Sequence, residues 1–387
     1  MLNFQLSEES EDLEQLLVGV QALTIKQGMM FLIGGLLIYL AIKKDYEPML
    51  LLPIGFGAIL TNIPVIEGVP GIASAQGVLG ILREAGITTE LFPALIFIGI
   101  GAMIDFGPLL KMPSMLFFGA AAQFGIFMTL IFALLLGFDI KDAASIGIIG
   151  AADGPTSIFV GQQFASKEIF GAIIVAAYSY MSLVPIIQPP VIKALTTKEE
   201  RKIRMEYKEL KVSKTVKILF PILVTIIAGI IAPMSVTLVG LLMFGNLIKE
   251  SGVLERLSST AQNELANLVT LLLGITIGST MYADAFISLN TVKILALGLF
   301  AFIFDTAGGV LFAKFLNLFV KEKYNPMVGA AGISAFPMSA RVVQKIAKEE
   351  DPTNFVLMQA IGANVAGQIG SIIAGSVILV LLSQGGF

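Results

Sequence analysis

Gly147-Ile-Ile-Gly150-Ala-Ala-Asp153-Gly154-Pro155-Thr156-Ser157-Ile-Phe-Val-Gly161-Gln-Gln-Phe164 is the stretch on which the fold turns. It is apolar enough to enter a membrane, yet its centre holds a carboxylate, two helix breakers and two hydroxyls. An unpaired carboxylate at bilayer depth costs about 2.5–3.5 kcal/mol on insertion scales, so a chain that keeps one generally uses it. Pro155 has no N–H and Gly154 resists helix, which predicts an unwound turn with free carbonyls and a fresh helix N-terminus beside Asp153. Non-helical backbone at that depth is tolerated only where it is buried in protein or lines a cavity. Carbonyls, the Thr156 and Ser157 hydroxyls and one carboxylate are hard donors suited to Na+ or another hard cation, so Asp153 and Ser157 read as ion ligands. The plainer alternative is a proline kink in which Asp153 only caps the second half-helix.

Composition agrees with a membrane setting. Of 387 residues, 56% are hydrophobic and 14% charged, and the mean hydropathy is +0.87. A soluble domain cannot hide that much apolar surface, so the chain is a polytopic α-helical membrane protein. The net charge of −3 gives no basis for a nucleic-acid partner. Cysteine and histidine are both absent. Disulfides, thiolate nucleophiles and imidazole-based zinc sites are thereby excluded, and proton handling falls to Asp, Glu, Tyr, Lys or water.

Outward from the quoted stretch, apolar runs fall near 28–43, 49–66, 92–110 and 114–137, then the interrupted 143–164 and 169–192. They resume near 216–232, 234–249, 265–283 and 289–319, followed by an interrupted 326–346 and by 354–384. Before them, residues 1–27 carry Glu8, Glu9, Glu11, Asp12 and Glu14 with Leu13, Leu16, Leu17 and Val20 on one helical face, an amphipathic interfacial segment. Between the two sets, residues 193–217 hold nine Lys or Arg against four Glu, a cytoplasmic linker by the positive-inside rule.

The halves flanking that linker, 28–192 and 218–387, resemble each other. Gly150–Gln162 lies over Gly332–Gln344 at a constant offset, with Pro155 over Pro337. Pro48-Met49 with Pro233-Met234, Gly55 with Gly240, Gly101 with Gly278 and Phe170 with Phe355 follow in order. The expected architecture is all-α, with about ten to twelve transmembrane or re-entrant segments in two inverted-topology repeats whose broken helices meet at the midplane. In the second copy the counterpart of Asp153 is Ala335, and polar groups shift to Asn325, Ser334 and Ser339, with Arg341 just beyond. Such asymmetry avoids two facing carboxylates neutralising each other.

Asn364, Gly367, Ser371 and Gly375 share one face of the last helix, either as a close-packing seam or as neutral oxygens turned to an ion. Tyr178 and Tyr180 lie at the matching depth of the first copy, suited to donate to a substrate or relay a proton, or to anchor at the interface. Arg341 needs an anionic partner or a route to the interface. Asp105, Asp284 and Asp305 cannot be ranked from sequence.

Gly150-Ala-Ala-Asp153-Gly-Pro155, Asn325-Pro326-Met-Val-Gly329 with Gly332-Ile-Ser334-Ala-Phe-Pro337-Met-Ser-Ala-Arg341, and Gly362-Ala-Asn364-Val-Ala-Gly367-Gln-Ile-Gly-Ser371 together resemble the β subunit of the sodium ion-translocating biotin-dependent decarboxylases, of oxaloacetate, methylmalonyl-CoA, glutaconyl-CoA or malonate type. The resemblance covers nearly the whole chain from about residue 30. It implies a multi-pass protein of a bacterial or archaeal inner membrane that decarboxylates carboxybiotin, consumes a proton and exports Na+. It also implies partners: a carboxyltransferase α subunit, a biotin carrier protein and a small γ/δ membrane subunit, with membrane lipid around the chain and self-association left open. By motif, Asp153 is the Na+- and proton-coupled carboxylate, and Asn325, Gly329, Ser334 and Arg341 match a set used for ion binding and coupling. Asn364 and Ser371 match further ion ligands, and Tyr178 or Tyr180 a functional tyrosine. No cofactor is expected to be covalently attached to this chain. Composition and repeats alone equally suit a cation-coupled secondary transporter with no enzymatic activity, a cation/proton antiporter or Na+/carboxylate carrier.

Overall fold

The computed structural model describes residues 19–65, 70–206 and 211–384. Most of the amphipathic segment expected over 1–27 lies outside these residues. Among the described residues every regular element is helical. Each apolar run read from the sequence corresponds to a helix or an interrupted helix, and five helices are long and apolar enough to cross a membrane, or up to seven if each bent pair is one span. This is an all-α, multi-pass membrane protein.

The chain divides into two compact units. One comprises the chain up to Thr89 together with Leu271–Leu289, and the other Glu90–Thr270 with Asn290 onward. Each unit draws on segments from both sides of the basic linker.

In the first unit, α1 (Ile25–Lys44) starts on a capping box between Thr24 and Gln27 and ends with Lys43 and Lys44 in its last turn, where they complement the helix dipole. α2 (Pro48–Thr61) crosses α1 at Gly34 and Gly55, each of which would set a Cβ about 2.6 Å from the other's carbonyl oxygen. The buried Asn62 amide closes the unit, donating to the carbonyls of Ala58 and Met281 and accepting from the Ala283 amide. Asp284 is exposed and paired with Lys26 at 2.9 Å. α3 (Val78–Arg83) precedes the crossing into the second unit, and Arg83 donates to the Tyr282 hydroxyl.

The second unit holds both interrupted segments. After α4 (Leu91–Met103) come α5 (Met115–Ala121) and α6 (Phe124–Leu135). The first interruption follows: α7 (Ile140–Gly147), a 3-10 turn over Ile148–Ala151, then α8 (Gly154–Phe164). The unwound turn lies one step earlier than the breakers suggest. Ala152 takes the left-handed conformation (φ 52°) and Asp153 is extended, while Gly154 and Pro155 open α8. Proline is suited there because a first-turn N–H has no intrahelical acceptor. α9 (Lys167–Ser182) and α10 (Val184–Leu195) form one pair bent by 68°.

Beyond the linker run α11 (Lys214–Ile231), α12 (Leu241–Ser251), α13 (Ala266–Gly278), which enters the first unit, and α14 (Leu289–Leu316). The second interruption is α15 (Met327–Ala330), a turn through 331–337 with a cis Phe336–Pro337 peptide, and α16 (Met338–Glu350). α17 (Leu357–Gln384) is continuous and heavily buried.

Candidate functional site

Asp153 is 3% exposed and belongs to the second unit. Its Oδ2 accepts three short hydrogen bonds, from Thr156 Oγ1 at 2.7 Å, Gln368 Nε2 at 2.8 Å and Ser371 Oγ at 2.9 Å. Among the described residues the Oδ1 atom has only the Thr156 amide, at 3.5 Å. Asp153 therefore does stand at the N-cap of α8, as the plainer reading has it. The cap bond is nonetheless the weakest of its contacts, because bonds beyond about 3.2 Å contribute little. One carboxylate oxygen takes three short bonds and the other a single long one, in a buried setting.

The two interruptions meet at this point. Ser334 N donates to Ala151 O at 3.1 Å, and Ser334 Oγ donates to Gly367 O at 2.9 Å. The carbonyls expected to be free are thus largely engaged: Ala151 O by Ser334, and Asp153 O by both the amide and the hydroxyl of Ser157. The predicted face of α17 lies along both breaks in sequence order. Asn364 Nδ2 donates to Ile333 O, and a Cβ on Gly367 would strike the Gly332 carbonyl. Ser371 reaches Asp153, and Gly375 lies against Thr156 and Val160. Close packing and polar contact occupy the same face. The Asn364 Oδ1 atom is buried and accepts no hydrogen bond from the described residues.

The tyrosines separate. Tyr178 is 1% exposed, and its ring and hydroxyl lie against Gly154, where any Cβ would overlap them. Tyr180 turns toward α14, packing on Gly298 and donating to Leu295 O. Tyr178 is the one at the Asp153 segment.

Other positions singled out by sequence are elsewhere in the unit. Asn325 donates from Nδ2 to Arg201 O and Ile203 O, both at 2.9 Å, and accepts from Met327 N. Gly329 makes a close backbone crossing with Gly309 of α14. Ser339 is paired with Gln188. Arg341 is exposed on α16, at the rim of a shallow recess it shares with Gln344, Lys345, Lys348, Glu349 and Leu357. None of these four appears among the hydrogen-bond partners of Asp153.

Gln368 is not marked by the sequence reading, and Asp305 is one of three acids that the sequence leaves unranked. Gln368 lies four residues after Asn364 and three before Ser371, a spacing that puts it on the same helix face. Asp305, on α14, is fully buried. Its oxygens occupy the space that side chains at Gly125 and Gly150 would need, and the first-turn amides of Gly125 and Ile126 in α6 point toward it without forming hydrogen bonds of normal geometry.

A family model described as the Na+-transporting oxaloacetate decarboxylase beta subunit matches residues 26–382. The chain belongs to this family. Members similar to it include the glutaconyl-CoA decarboxylase subunit beta of Acidaminococcus fermentans, 51% identical over 366 residues, covering 94% of this chain and 95% of the relative. The methylmalonyl-CoA decarboxylase subunit beta of Veillonella parvula is 51% identical with 95% and 96% covered. The oxaloacetate decarboxylase beta chain of Klebsiella pneumoniae is 45% identical over 419 residues with 94% and 96% covered. Membership in the sodium-transporting decarboxylase beta-subunit family makes this chain a membrane subunit of such a system, with Na+ as its cargo. Hard oxygens from Asp153, Ser371 and Asn364, in a buried setting, are the donor types that Na+ takes.

Proposed function

We propose that this subunit decarboxylates carboxybiotin presented by a biotin carrier and uses the reaction to export Na+. The observation that carries the reading is the asymmetric carboxylate: Oδ2 of Asp153 is held by Thr156, Gln368 and Ser371 while Oδ1 is left for a cation. Asp153 Oδ1 and Asn364 Oδ1 are ligands, joined by hydroxyl oxygens of Ser157, Ser334 and Ser371. Gln368 positions the carboxylate. Asn325, Gly329 and Arg341 receive no ligand role here.

In the chemical step the bond between the ureido nitrogen and the carboxylate breaks and CO2 leaves. The electron pair stays on nitrogen, which takes up one proton. A carboxylate moved from water into a less polar pocket loses the hydration that stabilises it, and that favours the departure. Tyr178, packed against the Asp153 segment, is the group with an exchangeable proton on this path. Export of each Na+ costs about 2.3 kcal/mol per 100 mV, so the site changes sides once per cycle. The halves 28–192 and 218–387 act as inverted copies around the linker 193–217, a reading supported by the contact between Ser334 and Ala151. The subunit works with a carboxyltransferase α subunit, the biotin carrier and a small γ/δ membrane subunit in a bacterial or archaeal inner membrane.

The test is CO2 release from carrier-bound carboxybiotin by the purified chain in liposomes, with and without Na+. Release that rises with Na+ and disappears in Asp153→Asn supports the proposal. No release at any Na+ concentration, from protein that still binds Na+, overturns it in favour of a carrier without enzymatic activity.

A further inference from the structure

Residues 201–206 alternate between covered and exposed positions: Arg201 is buried, Ile203 and Met205 half-buried, and Lys202, Arg204 and Glu206 exposed. Arg201 ends a short helix over Lys198–Arg201, Lys202 follows it in a turn, and 203–206 run on outside any regular element. The inward carbonyls of this stretch are taken one after another by three side-chain amides. Asn325 Nδ2 donates to Arg201 O and Ile203 O at 2.9 Å, Asn354 Nδ2 to the same pair at 3.3 Å, and Gln359 Nε2 to Met205 O at 2.8 Å. Ion pairs fasten the flanks, Arg201 with Glu350 at 2.6 Å and Arg204 with Asp351 at 2.7 Å.

The three amides are not on incidental elements. Asn325 also accepts from Met327 N, at the start of α15, which leads into the break carrying Ser334. Gln359 lies in the first turn of α17, the helix that carries Asn364, Gln368 and Ser371. Asn354 sits in the loop between α16 and α17, itself held by Gln344 through Asn354 O and Val356 N. This segment is therefore a strap tied to the start of α15, whose following break contacts Ala151, and to the first turn of α17, which carries Gln368 and Ser371 to Asp153.

We infer that Asn325, Asn354 and Gln359 are positioning residues that couple the strap 201–205 to the Asp153 site, with Asn325 acting through the backbone of α15 and not as a ligand of the cation. The inference rests on the reading of Asp153 as the Na+ carboxylate. Substituting Asp for Asn at 325 separates the two roles. A carboxylate is a better Na+ ligand than an amide, but it has no N–H for the strap and faces two carbonyl oxygens with like partial charge.

The chain has no native cysteine, so a single Met205→Cys reports on the strap. In the full chain assembled in liposomes, Asn325→Asp is expected to speed maleimide labelling of that thiol by about tenfold or more, the scale of losing hydrogen bonds to buried carbonyls. Na+-dependent turnover should fall by a similar factor while the half-saturating Na+ concentration stays within about twofold. Gln359→Glu, at a side chain whose one hydrogen bond among the described residues goes to Met205 O, should reproduce the pattern and serves where Asn325→Asp does not fold. Unchanged labelling with a tenfold change in half-saturating Na+ makes Asn325 a ligand and overturns the inference, as does faster labelling with unaltered turnover. Radiosodium exchange is measured alongside: if the parent releases no CO2, the decarboxylation reading fails, and the strap is then judged on labelling and exchange alone.

Discussion

Gln368 Nε2 donates to Asp153 Oδ2 at 2.8 Å across 215 residues of chain, joining the last helix to the first interruption. With Ser371 and Thr156 on the same oxygen, it fixes the carboxylate orientation, and among the described residues leaves Oδ1 only the Thr156 amide at 3.5 Å.

Gln368→Ala and Ser371→Ala each remove one constraint on Asp153. Residues that orient a metal ligand typically contribute about 10- to 100-fold in affinity. Half-saturating Na+ for turnover should rise by that range in each variant, and Asp153→Asn should abolish the Na+ response. A Gln368→Ala protein that saturates at the parent's Na+ concentration contradicts the orienting role.

Gly154→Ala sets a methyl into the Tyr178 ring. Overpacking of this kind costs about 1–3 kcal/mol, read as a lower midpoint of thermal unfolding in detergent. Tyr178→Phe keeps the shape and removes the hydroxyl, so its stability should match the parent while CO2 release falls by about 100-fold or more, the usual scale for a lost general acid. Equal loss of both properties in Tyr178→Phe assigns the ring a packing role only.

Asp305 has no cationic partner among the described residues, and its carboxylate fills space left by Gly125 and Gly150. A neutral amide of the same shape is easier to bury than a charge. Asp305→Asn is expected to stay within about 1 kcal/mol of the parent or above it, whereas Gly150→Ala should lose about 1–3 kcal/mol. Thermal unfolding distinguishes them, and a large loss in Asp305→Asn points to a cation at that position.

Asp351, in the loop before α17, is held below its ordinary 3.8, at about 2, by the hydroxyl of Thr353 first and then by Arg204. A lowered carboxylate contributes above its ordinary value and loses that contribution as pH falls from about 4 toward about 2. A bimane probe on Met205→Cys should change emission over that window, and Asp351→Asn should remove the step, having already lost the charged contact to Arg204. A step of unchanged size in Asp351→Asn assigns the acid sensitivity to another group.

The apolar runs, both interruptions, Asp153 and the polar face of α17 were legible because each is written locally, in hydropathy, in breakers or in helical spacing. Tyr178 and Tyr180 were not separable. They are two apart and therefore about 200° apart around a helix, and only the packing of Gly154 and Gly298 assigns their directions. The motif around Asn325 implies an ion ligand, whereas the return of residues 201–205 to its amide depends on contacts more than 120 residues away in the chain and is not written in that motif. Arg341 follows the second interruption, but its side of α16 is set by how that helix packs. Asp305 could not be ranked for a similar reason: Gly125 and Gly150, which shape its surroundings, are remote in sequence.

α17 touches the second interruption at Asn364 and Gly367 and the first at Ser371 and Gly375, all on one uninterrupted helix. At 1.5 Å per residue these contacts span about 16 Å, roughly half the hydrocarbon thickness of a bilayer. A rigid rod of that length cannot turn or slide at one break and remain still at the other. Rotating it by a quarter turn would withdraw Ser371 from Asp153 and Asn364 from Ile333 together, so occupancy on one side of the seam is geometrically tied to the backbone shape on the other.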